Sequence, residues 1–202
     1  MKKMRTLLSV SGLLFIFCVI GSVFWFNEWK YSLPTPVPKH YQSPNIGDHV
    51  DLGVTVDSKD TKPLFLHFFN PDCPCSKFNI PHFISLSTKY GNEINFAVIV
   101  MTNDKSYTEE KIRKKFDLKV PVLFDTSLAV ACGVYSTPQA VLLGRGHILY
   151  YKGNYNRSRY CTDPNSNYAQ MAIDSLLAAH RQPLFNKSAL TAYGCSLPKC
   201  IK

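Results

Sequence analysis

Phe65-Leu66-His67-Phe68-Phe69-Asn70-Pro71-Asp72-Cys73-Pro74-Cys75-Ser76-Lys77-Phe78 carries an apolar, strand-like run into two cysteines at the start of a helix. That junction is where a thiol becomes chemically useful. Unsatisfied helix amides and the positive end of the helix dipole favour thiolate over thiol and lower its pKa. Most cysteines are small buried hydrophobes. Two of them flanking a proline at such a junction point instead to redox or metal chemistry. Cys73, nearest the junction, is the nucleophile in this reading, and Cys75 is the resolving thiol by proximity. A Cys-x-Cys disulfide is geometrically tight and therefore comparatively oxidising. Asp72, beside the nucleophile, opposes thiolate formation when ionised.

Working outward, the first thirty residues differ from the rest. Leu7 to Phe26 holds no charged residue, and twenty helical residues rise about 30 Å, one hydrocarbon thickness. Lys2, Lys3 and Arg5 precede the run, which favours a cytoplasmic N-terminus. Trp25, Phe26, Trp29 and Tyr31 follow it as an interfacial belt would. A cleaved signal peptide competes, but it normally has a shorter apolar core and a small-x-small site, whereas this run exits through Val23-Phe24-Trp25-Phe26. The expectation is a retained single-pass anchor in the inner membrane, with Cys18 inert in lipid and the domain on the periplasmic side. In that compartment disulfides among Cys73, Cys75, Cys132, Cys161, Cys195 and Cys200 can persist, with 15 pairings open. The chain carries a net charge of +9, three units of it in the anchor. Its densest later run, Lys111 to Lys115, reads as a solvated helix face preceded by Glu109 and Glu110. Nucleic acid is not an expected partner.

Pro34, Pro36, Pro38 and Pro44 mark residues 32–45 as an extended, semi-rigid stalk between the 1–31 anchor and a 46–202 domain. Within the domain, the pattern predicts a short leading strand from Asp48 to Val56 and a buried strand from Pro63 to Phe69. A helix from Ser76 to Tyr90, kinked at Pro81, follows, then a buried strand from Ile94 to Met101 and a helix from Tyr107 to Phe116. Ser127 to Cys132 reads as a short helix ended by Gly133. Gln139 to Leu143 and His147 to Lys152 make a hairpin, and Asn167 to Ala179 is a last amphipathic helix. This order implies an α/β mixed sheet with helices on both faces.

With that order, the chain resembles the thioredoxin superfamily over roughly Ile46 to Ala179. Three features carry the likeness: the cysteine pair after the first central strand, Gly133-Val134-Tyr135-Ser136-Thr137-Pro138 before the hairpin, and the helix after it. The resemblance implies a cis peptide at Pro138 facing Cys73, with Thr137 presenting backbone groups to an extended substrate segment. Asn70 to Ser76, Ser136-Thr137-Pro138-Gln139-Ala140, Arg159-Tyr160-Cys161-Thr162 and Tyr193-Gly194-Cys195 are similar to a group of membrane-anchored, redoxin-related bacterial proteins. Several departures stand out. Ser76 occupies the resolving position of a Cys-x-x-Cys motif. Asn70 and Asp72 stand three residues before the two cysteines, where peroxiredoxins place Thr or Ser. No histidine matches the distant copper ligand of the Cys-x-x-x-Cys chaperones.

Cys161 lies in a tyrosine-rich loop, and Cys195 and Cys200 lie in the tail. Structural bonds are expected there, either 195–200 or one of these to Cys161. The alternative is Cys195 reaching back as a resolving thiol for Cys73. Cys132 reads as core, and so does His67. His40, His49, His82, His147 and His180 show no metal-ligand spacing to one another. Asn156-Arg157-Ser158 and Asn186-Lys187-Ser188 match a glycosylation sequon. The function expected is a membrane-tethered thiol–disulfide oxidoreductase without cofactor. It would act on exported protein thiols or disulfides and be reset by a membrane or periplasmic redox partner. Alternatives are a Cu(I)-binding or copper-delivery module using Cys73 and Cys75, a peroxiredoxin-like reductase, and a scaffold whose cysteines only staple the fold.

Overall fold

The computed structural model describes residues 2–29, 32–53, 62–158, 160–179 and 183–197. Two compact units divide between Pro34 and Thr35. The first is a helix, α1 (Lys2–Phe24), continued as a π-helical turn over Trp25–Trp29. Its most apolar 18-residue window has a mean hydropathy of 2.5, and over Lys2–Trp29 the helix is long enough to cross a membrane. It buries no side chain against protein and is apolar all round, as a lipid-facing helix is.

The second unit is built on a five-stranded mixed sheet. β1 (Leu64–Phe69) is followed by α2 (Pro74–Tyr90), β2 (Asn95–Val100), α3 (Glu109–Phe116) and β3 (Val122–Leu123). Then come α4 (Ser127–Ala131), β4 (Ser136–Thr137), β5 (Gln139–Leu143), β6 (Leu149–Gly153) and α5 (Tyr168–Leu177). The tail adds α6 (Lys187–Leu190) and β7 (Cys195–Ser196). Sheet order is β3-β2-β1-β5-β6, with β1, β2 and β3 parallel and β5 and β6 antiparallel. This is a thioredoxin-like arrangement, and the peptide bond between Thr137 and Pro138 is cis.

β1 is buried on both faces, which explains its unbroken apolar run. Phe65, His67 and Phe69 alternate to one side. There Phe65 and Phe69 join a core with Ile80, Phe83, Leu86 and Tyr90 of α2 and with Ala169, Ala172 and Ile173 of α5. Leu64, Leu66 and Phe68 face the other way, against Leu128, Ala129 and Cys132. The Tyr90 hydroxyl donates to Asp174 at 2.5 Å and ties α2 to α5. α2 continues through the exposed Pro81. In α3 only Ile112 is buried, and its basic residues form a solvated face with one Arg113–Glu109 ion pair at 3.3 Å.

Two stretches differ from expectation. Among the described residues of the expected Asp48–Val56 strand there is a single bridge, His49 to Ile148, with Val50 and Leu52 filling the core beside it. Val54 to Val56 lie outside the described residues. The Pro-rich segment is extended, but from Thr35 onward it lies on the domain. The Thr35 amide donates to the Ala192 carbonyl at 2.7 Å, and the Tyr41 hydroxyl donates to the Gly133 carbonyl at 2.5 Å. The Lys152 ammonium donates to Tyr41 at 3.0 Å and also to Ser43. Proline supplies the extended backbone, and Thr35 and Tyr41 supply the side chains that dock it.

Candidate active site

The turn leaving β1 is assembled by short-range polar bonds. The Asn70 amide donates to the Ser76 hydroxyl at 3.2 Å, and the Asn70 side-chain oxygen accepts from the Asp72 amide at 2.8 Å. Ser76, which replaces the usual second cysteine, therefore pins the helix start to the strand end. Cys73 is the N-cap of α2 in extended conformation (φ −82°, ψ 122°), and Pro74 takes the first helical position, where its missing N–H costs nothing. Asp72 is exposed, and Tyr107 donates to its carboxylate at 2.6 Å. That bond holds the phenol in its protonated form and pushes its pKa up to about 12.

Cys73 is disulfide-bonded to Cys195, 122 residues away, with Cα atoms 6.9 Å apart. Strand pairing brings Cys195 there. β7 lies antiparallel to β4, with Thr137 opposite Cys195 and Ser136 opposite Ser196. The Leu197 amide donates to the Tyr135 carbonyl at 3.2 Å and extends the ladder. Because Thr137 precedes cis-Pro138, the disulfide and the proline turn share one site. Gly194 permits the approach: a Cβ there would overlap the Thr137 carbonyl and meet the Ser136 hydroxyl at 2.6 Å. On the other side of the tail, the Thr35 hydroxyl donates to the Gly194 carbonyl at 2.6 Å and lies 3.1 Å from the Ser136 hydroxyl.

Cys75 stays outside the disulfide, in the first turn of α2, and the Sγ atoms of Cys73, Cys75 and Cys195 all lie within 4.8 Å of one another. Exposure of the three is 0 %, 3 % and 1 %. The Thr137 hydroxyl and the Gln139 side-chain oxygen flank Pro138, buried and without hydrogen-bond partners.

The other cysteines are placed apart. Cys161 is a free thiol and is not paired with Cys195; it donates to Asn79 at 3.1 Å, and burial pushes its pKa up to about 12. Tail cysteine 195 is taken by Cys73, so the expected 195–200 or 161-to-195 pairing does not form. The β4–β7 ladder delivers Cys195 to the helix start instead. Cys200 and His180 lie outside the described residues. Cys132 is core, its thiol likewise pushed up to about 12 by burial. His67 is fully buried and its pKa is lowered to about 3 by desolvation; its Nδ1 lies 2.7 Å from the Tyr155 hydroxyl. The pairing that forms is the alternative in which Cys195 reaches back to Cys73; the parts played by Gly194 and Thr35 are not legible in the sequence alone. The Tyr193-Gly194-Cys195 tripeptide was the available signal for that pairing.

Comparison with known proteins adds the following. A family model described as Domain of unknown function (DUF6436) matches residues 47–197. No protein with a curated description matches the sequence. Among solved structures, the chain is similar to a hypothetical protein from Sinorhizobium meliloti 1021. That match has 21% identity and a TM-score of 0.58, and covers 70% of this chain and 81% of that one. It is also similar to an uncharacterized conserved protein from Geobacillus kaustophilus, with 22% identity and a TM-score of 0.56, covering 77% and 87%. A weaker likeness, TM-score 0.43 at 19% identity, is to a secreted Mycobacterium tuberculosis disulfide oxidoreductase homologous to E. coli DsbE, covering 59% and 83%.

Proposed function

The chain belongs to the family described as Domain of unknown function (DUF6436), and from the site it carries we propose that it is a thiol–disulfide oxidoreductase. It is tethered to the membrane by α1 and acts on exported protein thiols or disulfides, with a membrane or periplasmic redox partner resetting it. One observation carries this reading: a Cys73–Cys195 disulfide at the N-terminus of α2, beside cis-Pro138, with a third thiol within 4.8 Å. A bond that only stapled the tail would need no third sulfur at exchange distance.

The chemistry is thiol–disulfide exchange. Cys75 loses its proton and attacks Cys73 Sγ. The Cys73–Cys75 bond forms as Cys73–Cys195 breaks, and Cys195 leaves as a thiolate and takes up a proton. No net oxidation occurs in that step. A substrate thiolate then attacks Cys73, expels Cys75 and forms a mixed disulfide. The substrate's second thiol attacks its own first sulfur and expels Cys73. The substrate is oxidised by two electrons, and Cys73 and Cys75 are left as thiols. Run in reverse, the same steps reduce a substrate disulfide. The helix N-terminus stabilises Cys73 as the leaving thiolate in either direction.

The mutual closeness of the three sulfurs also favours a second reading, in which the reduced trio holds Cu(I), a soft ion suited to thiolates. Detergent-solubilised full-length protein separates the two. Catalysed insulin reduction or oxidative refolding that is lost in Cys73→Ser and in Cys75→Ser, with mixed disulfides accumulating on Cys73 only when Cys75→Ser and Cys195→Ser are combined, supports exchange. Stoichiometric copper with neither activity supports binding and overturns the enzyme reading.

A further inference from the structure

We propose that β7 is a built-in occupant of the substrate position, and that substrates are extended segments carrying Gly-Cys that replace it on the edge of β4. This deepens the exchange reading and rests on it.

Access is the first argument. Cys73 is 0 % exposed and Cys195 1 %, so no thiol of another protein reaches Cys73 while β7 is docked. The Cys75 attack already described frees Cys195 without any external oxidant or reductant, and leaves β7 held only by non-covalent contacts. Its strand pairing among the described residues is short: a two-residue ladder extended by the Leu197 amide to the Tyr135 carbonyl, with the Thr35 bonds to Ala192 and Gly194 beside it. A pairing that short is displaceable. β7 is also an imperfect occupant, because the buried hydroxyl of Thr137, the residue opposite Cys195, remains unpartnered while it is docked.

Once β7 leaves, β4 offers the unpaired backbone groups of Thr137 and Ser136, the template for strand addition by an extended peptide. The register is fixed by chemistry, since the incoming cysteine must lie opposite Thr137, as Cys195 does, to bond Cys73. The residue before that cysteine then inherits the position of Gly194. The obstacle to a Cβ there is the Thr137 carbonyl, a backbone atom of the acceptor strand and not a feature of the tail. Any strand in this register meets it, so glycine is selected before the substrate cysteine.

The test uses two hexapeptides, Ala-Tyr-Gly-Cys-Ser-Leu, which copies residues 192–197, and the same peptide with alanine in place of glycine. Each is supplied as its mixed disulfide with thionitrobenzoate. Reduced full-length Cys195→Ser protein in detergent is mixed with each, and release of thionitrobenzoate follows attack by Cys73. Glutathione serves as the unstructured control thiol. The expected result is a rate about tenfold higher for the glycine peptide on the protein, with equal rates for both peptides on glutathione. Equal rates on the protein, both well above glutathione, overturn the strand-replacement proposal and leave the exchange reading standing. Rates no higher than glutathione for either peptide overturn both. Should Cys195→Ser fail to fold, the same comparison is made on reduced wild-type protein.

Discussion

Substituting alanine for Gly194 places a methyl group against the Thr137 carbonyl and the Ser136 hydroxyl. The first of these is backbone in a buried strand and cannot swing aside. Forcing an extra methyl into such a packed position costs about 1–3 kcal/mol. If β7 is docked only while Cys195 is bonded to Cys73, the cost falls on the oxidised protein alone. With about 2 kcal/mol taken as the penalty, and about 30 mV per 1.4 kcal/mol for a two-electron couple, the potential of Cys73–Cys195 rises by roughly 40 mV. The assay is equilibration of full-length Gly194→Ala and wild-type protein in glutathione redox buffers, followed by acid quench, thiol labelling and peptide mapping of both cysteines. A potential unchanged in the variant, together with lowered thermal stability, would refute the reasoning. That result means β7 is docked alike in both redox states and is not displaced.

Three further outcomes are expected. His67 has a folded pKa of about 3 against an ordinary 6.5, so between those values the unfolded chain binds the extra proton and stability falls as pH drops. From pH 7 to pH 5 this amounts to about 2 kcal/mol, and urea titrations should show that much less pH dependence in His67→Phe than in wild type; equal slopes would contradict it. In reduced native protein, brief alkylation near pH 6 should label Cys73 first and Cys132 and Cys161 last, since burial holds both of the latter near 12; early labelling of Cys161 would contradict the burial argument. Alkaline phosphatase fused after Tyr41 should be active and a cytosol-dependent reporter silent; the opposite pattern removes the membrane-tethered, exported placement.

Much of the fold was legible because its main elements carry their periodicity locally. β1 and β2 are unbroken apolar runs, α5 shows one apolar face, and the β5–β6 hairpin is marked by its glycines. Cys73 and Pro138 were readable from their place in that order. What escaped notice depends on tertiary contact. β3, β4 and β7 are two residues each, too short to leave a pattern, and exist because a neighbour pairs with them. The Cys73–Cys195 bond joins residues 122 apart, and no local rule selects one of fifteen pairings. Thr35 lies in the proline-rich stretch expected to be a stalk, yet it is buried between β4 and the tail. The need for glycine at 194 comes from the Thr137 backbone packed against it, a contact with no local sequence signal.

The central claim is that Cys73–Cys195 is an exchanging bond and not a staple, and its reduction potential in wild-type full-length protein tests this most directly. An exchanging bond, opened from within by Cys75, should titrate in the range of dedicated oxidoreductases, about −120 to −270 mV. A value below about −300 mV, where structural disulfides of secreted proteins lie, would contradict the account.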